Sequence, residues 1–229
     1  MAKKIAQPRQ TFRHLITKLN PRSPISEQYR TIRTNIQFSA VDQNLQTLLV
    51  TSSNPSEGKS STTANLGLVF AQQGKKVLIV DADLRKPTVH YTFRVDNRIG
   101  LSNVLVGDED IFDAIEASEE NGLDILSSGP IPPNPSELLG SNAMRQLIEK
   151  AKEYYDFIIF DTPPVLAVTD AQVLANAVDG SLLVVRSKST DRETALKAKE
   201  LLEPAKAKLL GAVLNDKLVN KSHYYYYTQ

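Results

Sequence analysis

A doubly wound α/β fold, with a mostly parallel sheet and flanking helices, is predicted by three features of this 229-residue chain. Short apolar runs recur without polar alternation, the pattern of strands buried on both faces of a parallel sheet. Helical stretches separate the runs, so strand and helix repeat in turn. Three of the runs lead directly into charged residues, and in an open parallel sheet ligands bind outside the carboxyl ends of the strands.

Residues 1–22 read as a flexible basic arm, because Lys3, Lys4, Arg9, Arg13, Lys18 and Arg22 all precede the first acid, Glu27. Such a run is ordinarily solvated, with contact to anionic lipid or an acidic partner as the other reading. Residues 23–220 form the folded domain. Over 25–38, Ile25, Tyr29, Ile32 and Ile36 fall at helical spacing. The apolar runs 45–50, 77–80, 157–160, 182–185 and 209–214 are the expected strands, and 62–72, 143–152, 170–177 and 193–207 the expected helices. Gly74 is placed to cap the helix over 62–72. The stretch 129–135, Gly-Pro-Ile-Pro-Pro-Asn-Pro, is expected to be a stiff loop, since proline lacks a backbone donor and breaks helices. Residues 221–229 are a tail whose low-complexity run, His223-Tyr-Tyr-Tyr-Tyr-Thr228, is not built to pack.

Composition narrows the function classes. Hydrophobic residues at 41 % and charged residues at 23 % are ordinary for a soluble chain. A net charge of +1 gives no reason to expect nucleic acid as a partner. With no cysteine, disulfides and thiolate zinc sites are excluded. No apolar run approaches the ~20 residues of a membrane span, and the first residues lack the apolar core of a signal peptide, so a cytoplasmic location is expected.

Three motifs carry chemistry. The first is Ser53-Asn54-Pro55-Ser56-Glu57-Gly58-Lys59-Ser60, continued by Ser61, between an apolar run and a helix. That is the setting of a phosphate-binding loop, with serine at the usual first glycine. Backbone N–H groups at the helix start would face phosphate, Lys59 would reach the terminal phosphates of ATP, and the Ser60 hydroxyl would hold Mg²⁺. The second is Asp81-Ala82-Asp83-Leu84-Arg85-Lys86-Pro87 after the run 77–80. One carboxylate can approach Mg²⁺ while the other accepts a proton from an incoming hydroxyl, and the spacing alone does not say which does which. The third is Asp161 after the run 157–160, in the position of a Mg²⁺-side aspartate. Asn215 closes the run 209–214 at the same sheet edge. Its amide can both donate to and accept from adenine, although asparagine there also suits a plain turn.

Together these motifs resemble the bacterial protein-tyrosine kinases (BY-kinases), phosphate-loop enzymes unrelated to eukaryotic kinases. The resemblance extends from Glu27 to the C-terminus and takes in Asp81 to Pro87 and Ser128 to Pro135. Two further features carry it. Glu27-x-x-Arg30-x-x-Arg33 is similar to the family's ring-assembly motif, and three- and six-residue spacing puts the three side chains on one helix face. Tyr224, Tyr225, Tyr226 and Tyr227 are similar to its C-terminal autophosphorylation cluster. The resemblance implies a cytoplasmic kinase of the capsular or extracellular polysaccharide type, separate from a transmembrane adaptor that activates it and holds it at the inner face of the membrane. It implies ATP and Mg²⁺, protein substrates bearing tyrosine, a cognate tyrosine phosphatase and a homo-oligomeric ring. It also implies Asp81 as base, with Ser60, Asp83 and Asp161 at the metal. The rival readings are an ATPase switch like MinD or ParA and a non-catalytic nucleotide sensor. The switch proteins carry a lysine just after the first loop glycine, where this chain has Asn54.

Overall fold

The computed structural model describes residues 15–39 and 45–217. Among them one seven-stranded sheet is formed by β1 (Thr47–Ser52), β2 (Val77–Asp81), β3 (Ile115–Ala117), β4 (Leu123–Leu126), β5 (Phe157–Asp161), β6 (Gly180–Arg186) and β7 (Lys208–Asn215). The spatial order is β3-β4-β2-β5-β1-β6-β7, and every neighbouring pair is parallel except β3 with β4. The flanking helices are α1 (Ile16–Leu19), α2 (Pro24–Ser39), α3 (Lys59–Ala71), α4 (Val89–Phe93), α5 (Leu101–Val106), α6 (Ile111–Ala114), α7 (Pro135–Leu139), α8 (Asn142–Lys152), α9 (Asp170–Ala175) and α10 (Arg192–Leu202).

Alternate side chains of each central strand enter two different cores. Leu48, Val50, Ile79 and Ile159 pack with Leu66, Val69 and Phe70 of α3 and Ile36 of α2. Leu49, Leu78, Val80 and Phe160 pack on the other face with Ile148 of α8, Leu174 of α9 and Leu202 of α10. Both faces are therefore dry, which is why the central runs show no alternation. Phe70 stacks on Phe157 with centroids 4.1 Å apart. Such a pair adds about 0.5–1.5 kcal/mol to the area it buries.

Four expectations need correction. The run 209–214 lies in β7, an edge strand whose residues are mostly exposed or half-buried, with Leu214 50 % exposed. An edge strand is apolar where one neighbouring element covers it, here α2 through Tyr29 and Ile32, and needs no second dry face. Helix α10 stops at Leu202 rather than 207, because Pro204 cannot continue it. Pro135 belongs to α7 rather than to the loop before it, since its fixed φ suits the first helical position. The described end of the basic arm is docked. The Thr17 backbone N–H and hydroxyl donate to Asn65 Oδ1 at 3.1 and 2.8 Å, and Lys18 pairs with Glu119 at 3.0 Å. Residues 1–14 lie outside the described residues, as do 218–229.

Candidate active site

Strand register brings the charged motifs together. In the β2–β5 pair Asp81 sits opposite Asp161, and in the β1–β5 pair Val50 sits opposite Asp161. All three strands thus end at one edge, from which the loop 53–58 rises into α3. The helix begins at Lys59, three residues before the expected start, because Gly58 acts as N-cap in the left-handed region at φ 97°. Ser56 is left-handed too, at φ 66°. A side chain at Gly58 is excluded twice, by that φ and by Asn215, whose Nδ2 would lie 2.0 Å from an added Cβ.

The loop is braced from below. Glu57 is buried, accepting from the Asn54 amide at 3.0 Å and from the Thr190 hydroxyl, while its own carbonyl accepts from Asn215 Nδ2 at 2.9 Å. Hydrogen bonds to a charged acceptor are worth roughly 1.5–3 kcal/mol each, so this carboxylate holds the loop's shape. Ser53 is buried as well, whereas Pro55, Ser56, Gly58, Lys59, Ser60 and Ser61 line a cleft of about 620 Å³.

Lys59 stands among three carboxylates. Its Nζ lies 2.8 Å from Asp83 Oδ2, 3.5 Å from both oxygens of Asp161 and 3.3 Å from Ser60 Oγ. Burial works against its charge, but the neighbouring charges of Asp161 and Asp83 outweigh it and raise its pKa. Asp81 is wholly enclosed. Its Oδ2 accepts from the amides of Thr88 and Val89, both at 2.9 Å, and its Oδ1 from the Asp83 amide at 3.3 Å. Burial first, then the charge of Asp161, push its pKa up to about 7, against the pull of those amides and Lys59. Asp83 faces the cleft and accepts from the Lys86 amide at 3.0 Å. The Ser60 hydroxyl also receives Thr88 Oγ1 at 3.3 Å.

The loop, Asp81, Asp83, Asp161 and Asn215 therefore converge. The donor set fits a nucleotide with a hard divalent cation. It offers a helix N-terminus and one lysine for phosphate, and a hydroxyl with carboxylates for the metal. The other predicted residues are elsewhere. Glu27 and Arg30 pair with each other on α2. Arg33 is half-buried and donates to the Val69 carbonyl at 2.9 Å, so it is turned toward α3 rather than toward Glu27 and Arg30. Tyr224 to Tyr227 lie outside the described residues. Sequence reasoning missed Thr88, which ties Asp81 to Ser60, and Thr190, which braces Glu57. The only signal for Thr88 was its place just after the second motif, and nothing pointed to Thr190.

Comparison with known proteins agrees with this geometry. The AAA domain family matches residues 45–202. The chain is 56 % identical over 216 residues to tyrosine-protein kinase YwqD of Bacillus subtilis (strain 168), covering 94 % of this chain and 91 % of that one. Its fold matches the kinase domain of Escherichia coli tyrosine kinase ETK with a TM-score of 0.87 at 37 % identity, over 91 % of this chain and 82 % of that one. The septum site-determining protein MinD of Pyrococcus horikoshii OT3, solved with Mg-ADP, matches with a TM-score of 0.64 at 27 % identity, over 74 % of this chain and 70 % of that one. Sequence and fold thus stand nearer the kinases than the switch ATPase, and the chain belongs to the bacterial tyrosine-protein kinases.

Proposed function

We propose that this kinase uses ATP and Mg²⁺ to phosphorylate Tyr224 to Tyr227 in trans, within a homo-oligomer, and so regulates polysaccharide synthesis and export. The observation that carries the reading is the convergence of Asp81, Asp83 and Asp161 around Lys59 at the start of α3, beside the cleft that Lys59 and Asp83 line. ATP brings the phosphoryl group and Mg²⁺ spreads its charge, so tyrosine and ATP become phosphotyrosine and ADP. Lys59 leaves Asp83 to stabilise charge on the transferring group. Ser60, Asp83 and Asp161 would hold the metal. Asp81 takes the proton of the tyrosine hydroxyl, a role suited to a carboxylate that titrates near neutral pH.

Asn215 reads the base. One N–H of Nδ2 goes to the Glu57 carbonyl, which holds the amide so that Oδ1 can accept from the exocyclic amine of adenine while the second N–H can donate to a ring nitrogen. Asn215→Ala is expected to lower the preference for ATP over GTP about tenfold, the equivalent of one hydrogen bond of ~1.4 kcal/mol, in competition binding. An unchanged preference removes Asn215 from base recognition.

Glu27, Arg30 and Arg33 serve a head-to-tail contact that closes into a ring, putting each tail near its neighbour's cleft at high effective concentration. Each phosphate adds about −1.5 to −2 charges, which an acidic cleft repels, so phosphorylation releases the tails and loosens the ring. A transmembrane adaptor recruits the kinase to the inner face of the membrane, and a tyrosine phosphatase resets it. Among the described residues no helix is long and apolar enough to cross a membrane. Incubation with labelled ATP tests the proposal. The wild type should place label on tyrosine. Glu27→Ala/Arg30→Ala, which spares the bond from Arg33 to α3, should be monomeric by light scattering and lose most labelling. A variant that still assembles puts the interface elsewhere, and label released only as free phosphate means a hydrolase.

A further inference from the structure

We propose that the cleft wall formed by Arg85, Pro163 and Pro164 is the subsite that receives the acceptor tyrosine ring, and that Asp170 and Ser136 hold Arg85 in place for it. The proposal rests on the reading of the Lys59 site as a phosphoryl-transfer site. The cleft is divided in character. Its lining includes Lys59, Ser60 and the α3 N-terminus, which suit phosphate, and also Arg85, Lys86, Ala167, Val168 and the small faces that the otherwise buried Pro163 and Pro164 leave open. A polyphosphate has no use for the apolar half, and a phenol ring does.

That wall is rigid. The Pro163 carbonyl accepts from Thr51 Oγ1 at 2.8 Å, and the Val165 amide donates to the Ser52 carbonyl at 2.9 Å, which pins the prolines to the end of β1. Arg85 is equally fixed. Its Nε and Nη2 donate to the two oxygens of Asp170 at 2.8 and 2.9 Å, and Nη2 also reaches Ser136 Oγ at 3.2 Å. Asp170 is fully buried, and the Ser136 hydroxyl donates to it as well. The guanidinium plane is thereby locked, with the side chain 40 % exposed at the cleft and Nη1 making no hydrogen bond among the described residues. A planar guanidinium stacks on an aromatic face, and Ala167, Val168 and the open edges of the two prolines add apolar contact in the same cleft. Serine and threonine lack a ring to fill this wall, so the subsite selects tyrosine.

The experiment uses the full chain with Tyr224 to Tyr227 changed to phenylalanine, so that a synthetic peptide of residues 218–229 is the acceptor. Arg85→Gln/Asp170→Asn removes both charges and leaves no buried carboxylate unpaired. It should raise the peptide KM at least tenfold while ADP affinity stays within twofold. Arg85→Lys keeps the charge but loses the plane, and its KM should stay raised at least threefold. An unchanged peptide KM in the double variant overturns the subsite, as does a parallel loss of ADP affinity, which would assign Arg85 to the nucleotide or to the fold. Full recovery of KM in Arg85→Lys overturns the stacking role. If the parent binds ADP yet labels no peptide, the transferase reading fails and this proposal with it.

Discussion

Lys59→Met is expected to fold and to lose roughly 10²–10³ in phosphoryl-transfer rate, the loss that follows removal of one preorganised donor from a transition-state charge. The ligand-free geometry adds a second signature. Lys59 stands among Asp81, Asp83 and Asp161, and its charge pulls the raised pKa of Asp81 down. Without it the Asp81 pKa rises further. A carboxylate whose folded pKa is raised contributes stability that is fully present below its unfolded pKa and lost as pH rises through the folded one. The melting temperature of Lys59→Met should therefore fall further below wild type at pH 8 than at pH 6. Wild-type rates in this variant would remove Lys59 from the chemistry, and a deficit independent of pH would remove it from the carboxylate cluster.

Asp81→Asn should bind nucleotide and Mg²⁺ normally and transfer about 10²–10⁴-fold more slowly, the range for loss of a positioned base. The wild-type profile of kcat/KM should rise with pH through about 7, since Asp81 titrates there in the free enzyme and is a base only when ionised. The variant should lose that rise. Its stability should move the other way. The raised pKa means that stability contributed by Asp81 is fully present below its ordinary value of 3.8 and is lost as pH climbs from there through about 7, and the amide side chain abolishes that loss. Asp81→Asn should therefore gain in melting temperature over wild type as pH is raised from 4 to 8. If Asp81→Asn instead loses Mg²⁺–nucleotide affinity while Asp83→Asn keeps it, the two aspartates exchange roles.

The centre of the fold was legible because its physics is local to each run. Five residues such as Val77-Leu-Ile-Val-Asp81 announce a strand dry on both faces that ends in charge. The flank between 89 and 139 was not legible. Strand β4 is four residues interrupted by Asp124, and β3 carries Glu116; β3 exists through its pairing with β4, Ile115 with Leu126, and β4 through its pairing with β2 as well, Val77 with Leu123. Likewise the site's motifs could be read from spacing, but their bracing could not. Glu57 meets Thr190 133 residues away, and Arg85 meets Asp170 85 residues away. Helical spacing set Glu27, Arg30 and Arg33 three residues apart along α2. It could not show that Arg33 turns inward, because the acceptor is a backbone carbonyl of α3, which leaves no trace in side-chain pattern.

Transfer between copies is tested most directly by mixing two chains that each lack one partner of the reaction. One chain carries Lys59→Met with its tail intact, and the other is active but has Tyr224 to Tyr227 changed to phenylalanine. With labelled ATP, label should appear on the tyrosines of the Lys59→Met chain, at a rate that rises with total protein concentration until the oligomer is full. An unlabelled Lys59→Met chain beside an active partner, with wild-type chains labelling themselves at a concentration-independent rate, would contradict transfer in trans.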